Sequence, residues 1–358
     1  MNNSRIDKVI EEMKKQNLSQ IVVTSAPSLF YLTGKMIHAG ERMLALYINV
    51  NGDKKFVVNK LFPVEECGDI ELVWYDDIQD GVEVLSKLTD KSKEIGIDKD
   101  WKAHFLIRLM ELKGASGFIN GSPIIDNLRM TKDEKEKELM ITASKINDEV
   151  MSEIVSCIND NSTEKEICAI ITEKYLSMGT SGNSFPSIVA YGANAADPHC
   201  SSGDSKPKAG DCIVIDMGCR KDNYCSDMTR TYFYKEVSDR HADIYNIVLE
   251  ANKRAIKTIK PGVRFCDVDN AARNYITEKG YGEYFTHRTG HCIGIEVHDF
   301  GNVSSVNEEV LKEGMIFSVE PGIYIKNDIG VRIEDLVMVT KDGCKRLNEY
   351  NKELTVIK

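Results

Sequence analysis

Three absences narrow this chain before any motif is read. No apolar run approaches the roughly 20 residues of a membrane-spanning helix, so no membrane partner is expected. The ten cysteines form no Cys-x-x-Cys pair and no short disulfide framework, so the expectation is reduced thiols in a cytoplasm. Cys157 and Cys168, inside apolar runs, read as small core residues. Positive charge is in deficit: 46 Lys and Arg against 56 Asp and Glu leave a net charge of −10, which argues against nucleic acid or an anionic membrane surface as partner. The stretch MNNSRIDKVIEEMKKQ interleaves acids and bases like an amphipathic helix and shows no signal-peptide apolar segment. Histidine is scarce as well, with seven in 358 residues, so where those few fall carries weight.

What is present is an ordinary soluble composition, 42% hydrophobic and 28% charged, in a chain long enough for two domains. The first part alternates helix and strand. A helix over about 4–16 precedes strands at SQIVVT, LALYINV and KKFVV; EVLSKL reads as helix, KEIGID as strand and WKAHFLIRLMELKG as helix. That alternation predicts a small α/β domain over residues 1–123. Gly, Ser, Pro and Asn cluster in NGSPIIDNLRM and predict a break. Beyond it, TKDEKEKELMITASKINDEVMSEIVSCI predicts a long amphipathic helix with Thr131 as its N-cap. Two more helices, near 163–178 and 238–259, fall among many strands, so residues 127–358 read as a mixed α+β domain.

Acids stand where apolar strands should not carry them. In IVIDMGCRKDNYCSDMTRTYF, residues 213–233, a hairpin centred between Lys221 and Asp222 would set Asp216 opposite Asp227. MIFSVEPGIYI places Glu320 directly before Pro321, which holds its backbone extended. GVRIEDLVMV places Glu334 in another strand, on the same face as Arg332. Burying four unpaired carboxylates costs more than folding can absorb, so something positive is expected among them. Three histidines crowd into FTHRTGHCIGIEVHD: His287 and His291 share strand parity, whereas His298 needs a bend to join them. Four carboxylates with an imidazole suit hard divalent cations, and four negative charges match two dications held roughly 3.5–4 Å apart. A water shared by such ions loses its proton readily and serves as nucleophile.

These residues resemble the pita-bread (M24) metallopeptidases, in the branch of aminopeptidase P and prolidase. DMG with Asp216, CSDMTRT with Asp227, HRTGH with His291, VEPGIY with Glu320 and VRIED with Glu334 match its five metal ligands in order. SFPSIVAYGANAADPH, ending in His199, is similar to the family's substrate-side segment, and TSAPSLFYLTG and GERMLALYI to the extra N-terminal domain of this branch. The resemblance implies an α+β fold: a C-terminal pita-bread (creatinase/aminopeptidase) catalytic domain preceded by a smaller creatinase-type α/β domain. It implies that Asp216 chelates one ion, Asp227 and Glu334 bridge both, and His291 and Glu320 complete the set, with Glu320 also shuttling a proton. His199 and His298 would hold the scissile carbonyl and its oxyanion, and His287 would line the substrate pocket. Thr229 and Arg332 would support and orient the ligands.

Two positions depart from the family pattern. Cys292 stands where glycine is usual and is expected to narrow the local space or expose a thiol to the metal; Asp299 stands where Glu is frequent. The implied reaction is hydrolysis of the bond between a first residue and a following proline in a proline-containing peptide. An aminopeptidase P-like enzyme is the first expectation and an Xaa-Pro dipeptidase the alternative, since no basic residue that would cap a dipeptide's carboxylate is assignable from sequence. A metal-free creatinase type conflicts with the intact ligand set, and an inactive binding protein would purify without stoichiometric dications. Mn²⁺ is the first expectation for the metal, with Co²⁺ or Zn²⁺ suited as well, and a homodimer is expected from the resemblance.

Overall fold

The computed structural model describes residues 3–358, which divide after Arg129 into two compact units. The first runs α1 (Asn3–Lys15), β1 (Gln20–Val23), α2 (Ala26–Thr33), β2 (Ala45–Asn49), β3 (Lys54–Asn59), β4 (Glu71–Tyr75), α3 (Gly81–Ser86), β5 (Glu94–Ile97), α4 (Ala103–Glu111), β6 (Gly117–Asn120) and α5 (Ser122–Met130). Its six strands form one sheet in the order β4-β3-β2-β1-β5-β6. β1 pairs with β5, and β5 with β6, in parallel, the latter pair joined through α4, whereas β1–β2 and β2–β3 are antiparallel. Val22, Tyr47, Val57, Ile95, Leu85 and Leu109 bring sheet and helices into one core. The expected break at NGSPIIDNLRM is in fact the start of α5. Ser122 and Pro123 occupy its first turn, where proline's missing N–H costs nothing.

The second unit opens with α6 (Glu134–Val155) and α7 (Glu164–Ser177). The N-cap of α6 is Asp133, not Thr131: Asp133 accepts from the Glu136 N–H while the Glu136 carboxylate accepts from the Asp133 N–H, so two otherwise orphaned donors are satisfied. Thr131 instead bridges to Met315. Then come β7 (Ile188–Tyr191), β8 (Cys212–Met217), β9 (Arg220–Lys221), β10 (Tyr224–Cys225), β11 (Met228–Tyr234), α8 (Asp239–Thr258) and α9 (Phe265–Glu278). Helix α9 had no counterpart in the sequence reading. The chain closes with β12 (Gly290–His291), β13 (Asn302–Val303), β14 (Ile316–Val319), β15 (Gly322–Ile325), β16 (Ile329–Arg332), β17 (Asp335–Val339), β18 (Cys344–Arg346) and β19 (Val356–Ile357). The principal sheet has the order β19-β11-β8-β7, beside smaller sheets β14-β17-β18, β15-β16 and β12-β13.

Period-two alternation in β8 decides what lies on each side of this sheet. Ile213, Ile215 and Met217 pack with Val150, Ile167 and Tyr175 of α6 and α7. Cys212 and Val214 face the other way, into a core with Ile244, Phe265, Phe317 and Val331. Asp216 continues that second row, so its carboxylate lies on the face that α8, α9 and the later strands cover. No helix among the described residues is long and apolar enough to cross a membrane.

Candidate active site

The hairpin carrying the first two acids turns one residue later than the spacing predicts. Asp222 and Asn223 take positive φ of 49° and 67°, the pair of left-handed residues that a two-residue turn between antiparallel strands requires. The register therefore sets Asp216 opposite Thr229, with Lys221 opposite Tyr224. Asp227 is not opposite Asp216; it lies two residues before Thr229 on the same parity, a diagonal neighbour. Of the four acids, Asp216 alone lies within a strand. Asp227 precedes β11, Glu320 follows β14, and Glu334 stands between β16 and β17. At such strand ends the ladder stops, and carboxylates can converge without breaking sheet hydrogen bonds.

The histidine segment is pressed onto β14. A Cβ on Gly290 would lie 1.9 Å from the Ser318 carbonyl oxygen, so glycine is required before His291. Ser318 Oγ accepts from the His291 backbone N–H at 3.0 Å and donates to Glu320 Oε1 at 3.1 Å. His291 Nδ1–H donates to the Cys292 carbonyl at 3.2 Å, which leaves the Nε2 lone pair 3.4 Å from Glu320 Oε1 and 3.6 Å from Asp227 Oδ2. After β12 the chain bends, and His298 brings its ring to 4.2 Å from that of His291, as the parity argument required.

Arg332 organises the opposite wall. Its Nη2 donates to Asp216 Oδ2 at 2.7 Å, its Nε to Thr229 Oγ1 at 3.1 Å and its Nη1 to Tyr324 Oη at 2.9 Å. Thr229 Oγ1 in turn donates to Glu334 Oε2 at 2.8 Å. Arg332 thus pairs with Asp216 rather than with Glu334, the partner that shared parity suggested. His287 donates from Nδ1–H to the Arg288 carbonyl at 2.7 Å, so its Nε2 accepts the Tyr324 hydroxyl proton at 2.9 Å.

This arrangement is short of positive charge. Asp216 Oδ1, Asp227 Oδ1 and Glu334 Oε1 are buried oxygens without a hydrogen-bond partner. Burial, then repulsion from Glu334, Asp216 and Glu320, holds the Asp227 carboxyl well above the usual range. Glu334 is raised likewise, by burial and then by Glu320 and Asp216, and burial pushes Glu320 up to about 7. Burial also lowers His291 to about 3 and His287 to about 4, so both rings are neutral. Ligand atoms of Asp227, His291 and Glu334 lie within 4.8 Å of one another. Ionised carboxylates crowded around an imidazole lone pair repel one another; cations between them satisfy all of them at once, so these residues fit a divalent metal.

Nine of the ten candidate ligand, substrate and supporting residues, all but Thr229, line one cavity of about 1310 Å³. Thr229 is fully buried behind it, and exposed His199 stands at its edge beside Pro198, whose carbonyl accepts from Arg332 Nη1 at 3.4 Å. Cys292 corrects an expectation: its thiol belongs to the apolar core with Val303 and Phe317, 2.8 Å from where a Cβ on Gly301 would stand, and does not line the cavity. Sequence reading missed Tyr324, Ser318 and the clamp of Asp269 and Arg273. Arg273 forks onto Asp269 at 2.7 and 2.9 Å and donates to the His287 carbonyl at 2.8 Å, while Asp269 accepts from the Thr289 N–H and hydroxyl. The one trace of that clamp in the sequence is an i,i+4 acid–arginine pair.

The fold and this cavity define a metal-dependent hydrolase of two domains. The chain belongs to metallopeptidase family M24, whose model matches residues 138–341, and residues 5–131 match the creatinase/prolidase N-terminal domain. It is a metallopeptidase with the pita-bread catalytic domain expected from the motifs. It is 33% identical over 352 residues to an Xaa-Pro dipeptidase of Pyrococcus horikoshii, spanning 98% of this chain and 99% of that one. The solved prolidase of Thermococcus sibiricus superposes with a TM-score of 0.94 at 30% identity, over 99% of each chain. The X-Pro aminopeptidase of Thermotoga maritima superposes with 0.84 at 32% identity, over 97% of this chain and 100% of the other.

Proposed function

We propose that this chain is a dinuclear-metal-dependent Xaa-Pro dipeptidase. The observation that carries the chemistry is the set of open carboxylate oxygens of Asp216, Asp227 and Glu334 beside the His291 lone pair in one cavity. The relatives named Xaa-Pro dipeptidase and prolidase favour this reading, the alternative in the sequence analysis, over the aminopeptidase expected first. In this reading Asp216, Asp227, His291, Glu320 and Glu334 would hold two ions. Such ions supply Lewis acidity toward the scissile carbonyl and lower the pKa of water. Glu320, ionised once cations neutralise the site, would take a proton from the attacking water and deliver it to the proline nitrogen. His298 and His199 donate N–H groups to the carbonyl oxygen as it gains charge. Tyr324 and Arg332 hold His287 and Asp216 in place. Mn²⁺ heads the candidates because one nitrogen among several oxygens suits it, with Co²⁺ and Zn²⁺ behind. A cytoplasmic homodimer completes the proposal; the ten free thiols suit a reducing compartment.

Mass spectrometry of Ala-Pro and Ala-Pro-Ala, each incubated with the protein and Mn²⁺, tests the reading. Cleavage of the dipeptide with the tripeptide spared is expected. Cleavage of the tripeptide with the dipeptide spared would return the aminopeptidase, and no cleavage with any divalent metal would sink the mechanism.

A further inference from the structure

A dipeptidase must recognise what a longer substrate lacks, a carboxylate directly on the proline. The cavity is lined by four basic side chains: Lys165, Arg220, Arg288 and Arg332. Three are engaged. Lys165 pairs with Asp204, Arg220 Nη1 donates to the Ile295 carbonyl at 2.8 Å, and Arg332 is held by Asp216, Thr229 and Tyr324. The guanidinium of Arg288 makes no hydrogen bond or ion pair among the described residues, and the exposed residue lines the cavity.

Its backbone, by contrast, is clamped on both sides. The His287 carbonyl accepts from Arg273 Nη2 at 2.8 Å, and the His287 ring is tied to the Arg288 carbonyl and to Tyr324. On the other side the Thr289 N–H donates to Asp269 at 3.1 Å, and the Thr289 carbonyl accepts from the Glu320 N–H at 2.8 Å. A free guanidinium on a fixed base, three residues before His291, is a poor device for stability, since it has no partner to stabilise. It is a good device for binding an anion that arrives with the substrate: the planar fork matches a carboxylate bidentately. The acids of the lining are Asp216, Asp227, Glu320 and Glu334 at the metal end, and Glu296. A substrate carboxylate is repelled from the acids at the metal end. Arg288 lines the same cavity as His291, His298 and Glu320.

Building on the dipeptidase reading, we infer that Arg288 is the specificity-determining residue that caps the free carboxylate of the substrate's proline. The arginine acts on binding rather than on the chemical step, so its loss is read in KM. The test compares Ala-Pro with Ala-Pro-amide, which keeps the scissile bond and replaces the carboxylate by a neutral carboxamide. The parent protein, Arg288→Ala and Arg288→Lys are assayed with Mn²⁺, with circular dichroism to confirm that each is folded. The ratio of kcat/KM for Ala-Pro over the amide should fall about 10- to 100-fold in Arg288→Ala, mainly through KM, the loss of one charge-assisted hydrogen-bonded contact. Arg288→Lys should recover part of it. If Arg288→Ala lowers both substrates alike, the capping role is overturned while the dipeptidase reading stands; if the parent does not distinguish them, both fall. If the parent cleaves neither substrate with Mn²⁺, Co²⁺ or Zn²⁺, the dipeptidase reading fails and the cap falls with it.

Discussion

Glu334 and Asp335 are consecutive, equally buried and opposite in state. Asp335 lies in a closed cluster: it accepts from Arg230 Nη2 at 2.8 Å and from Lys352 Nζ at 2.5 Å, with Arg346 at 3.9 Å. Lys352 also donates to Asn252, whose amide holds the carbonyls of Val319 and Ile333. Burial alone would raise the Asp335 carboxyl, but these cations outweigh it and hold it below the usual 3.8. Glu334 points the other way, has one hydroxyl and an open oxygen, and is held far above its usual value. A buried acid is therefore not in itself a site. The acid whose neutralisation is missing is the one that implies a ligand.

The comparison can be broken from either side. Replacing Glu334→Gln should lower kcat/KM by more than about 1,000-fold and reduce bound metal, read by peptide hydrolysis and by elemental analysis of the purified protein. Asp335→Asn should leave the metal content of the folded protein intact but cost about 3–5 kcal/mol in urea unfolding, because Arg230 and Lys352 are then buried without their counter-charge. Equal effects of both substitutions on metal content would erase the distinction.

A third test uses pH. Glu320, near 4.5 when unfolded and about 7 in the fold, binds its proton more tightly in the folded chain. Stabilisation from it is complete below 4.5 and lost as pH rises through 7, so the metal-free protein should weaken by about 3 kcal/mol across that window. Asp335, with its depressed carboxyl, contributes in the opposite sense: its stabilisation is present above 3.8 and lost as pH falls below it. Urea unfolding of metal-stripped protein from about pH 2 to 8 checks both, and added Mn²⁺ should abolish the loss at the upper end. The smallest effect is expected at Thr229, whose hydroxyl alone connects Arg332 to Glu334. Thr229→Val should weaken metal binding about 10- to 100-fold in a chelator competition and leave the fold in place.

Much of the site was legible because its acids break an apolar pattern. Asp216 interrupts a β-branched run, Glu320 is held by the following proline, and three histidines share one short segment. The register differs by one residue from the one the acids' spacing predicts, because the turn needs two left-handed residues and Asp222–Asn223 accept that conformation better than Lys221–Asp222. NGSPIIDNLRM looks like a break and forms a helix because Pro and Gly punctuate loops as well as helix starts. Arg288 stood in the quoted HRTGH motif, yet nothing local to it shows that its charge is unpartnered.

By itself, then, the sequence determined the order and type of the candidate ligands, the two-domain α+β organisation and the family, because these rest on alternation, spacing and motif. The tertiary structure alone decided which charges are closed and which open. Arg230 reaches Asp335 across 105 positions and Arg332 reaches Asp216 across 116, so neutralisation depends on contacts that no local window contains. Electrostatic energy falls with distance in space and not along the chain, and for that reason adjacent acids such as Glu334 and Asp335 separate only once the chain has folded.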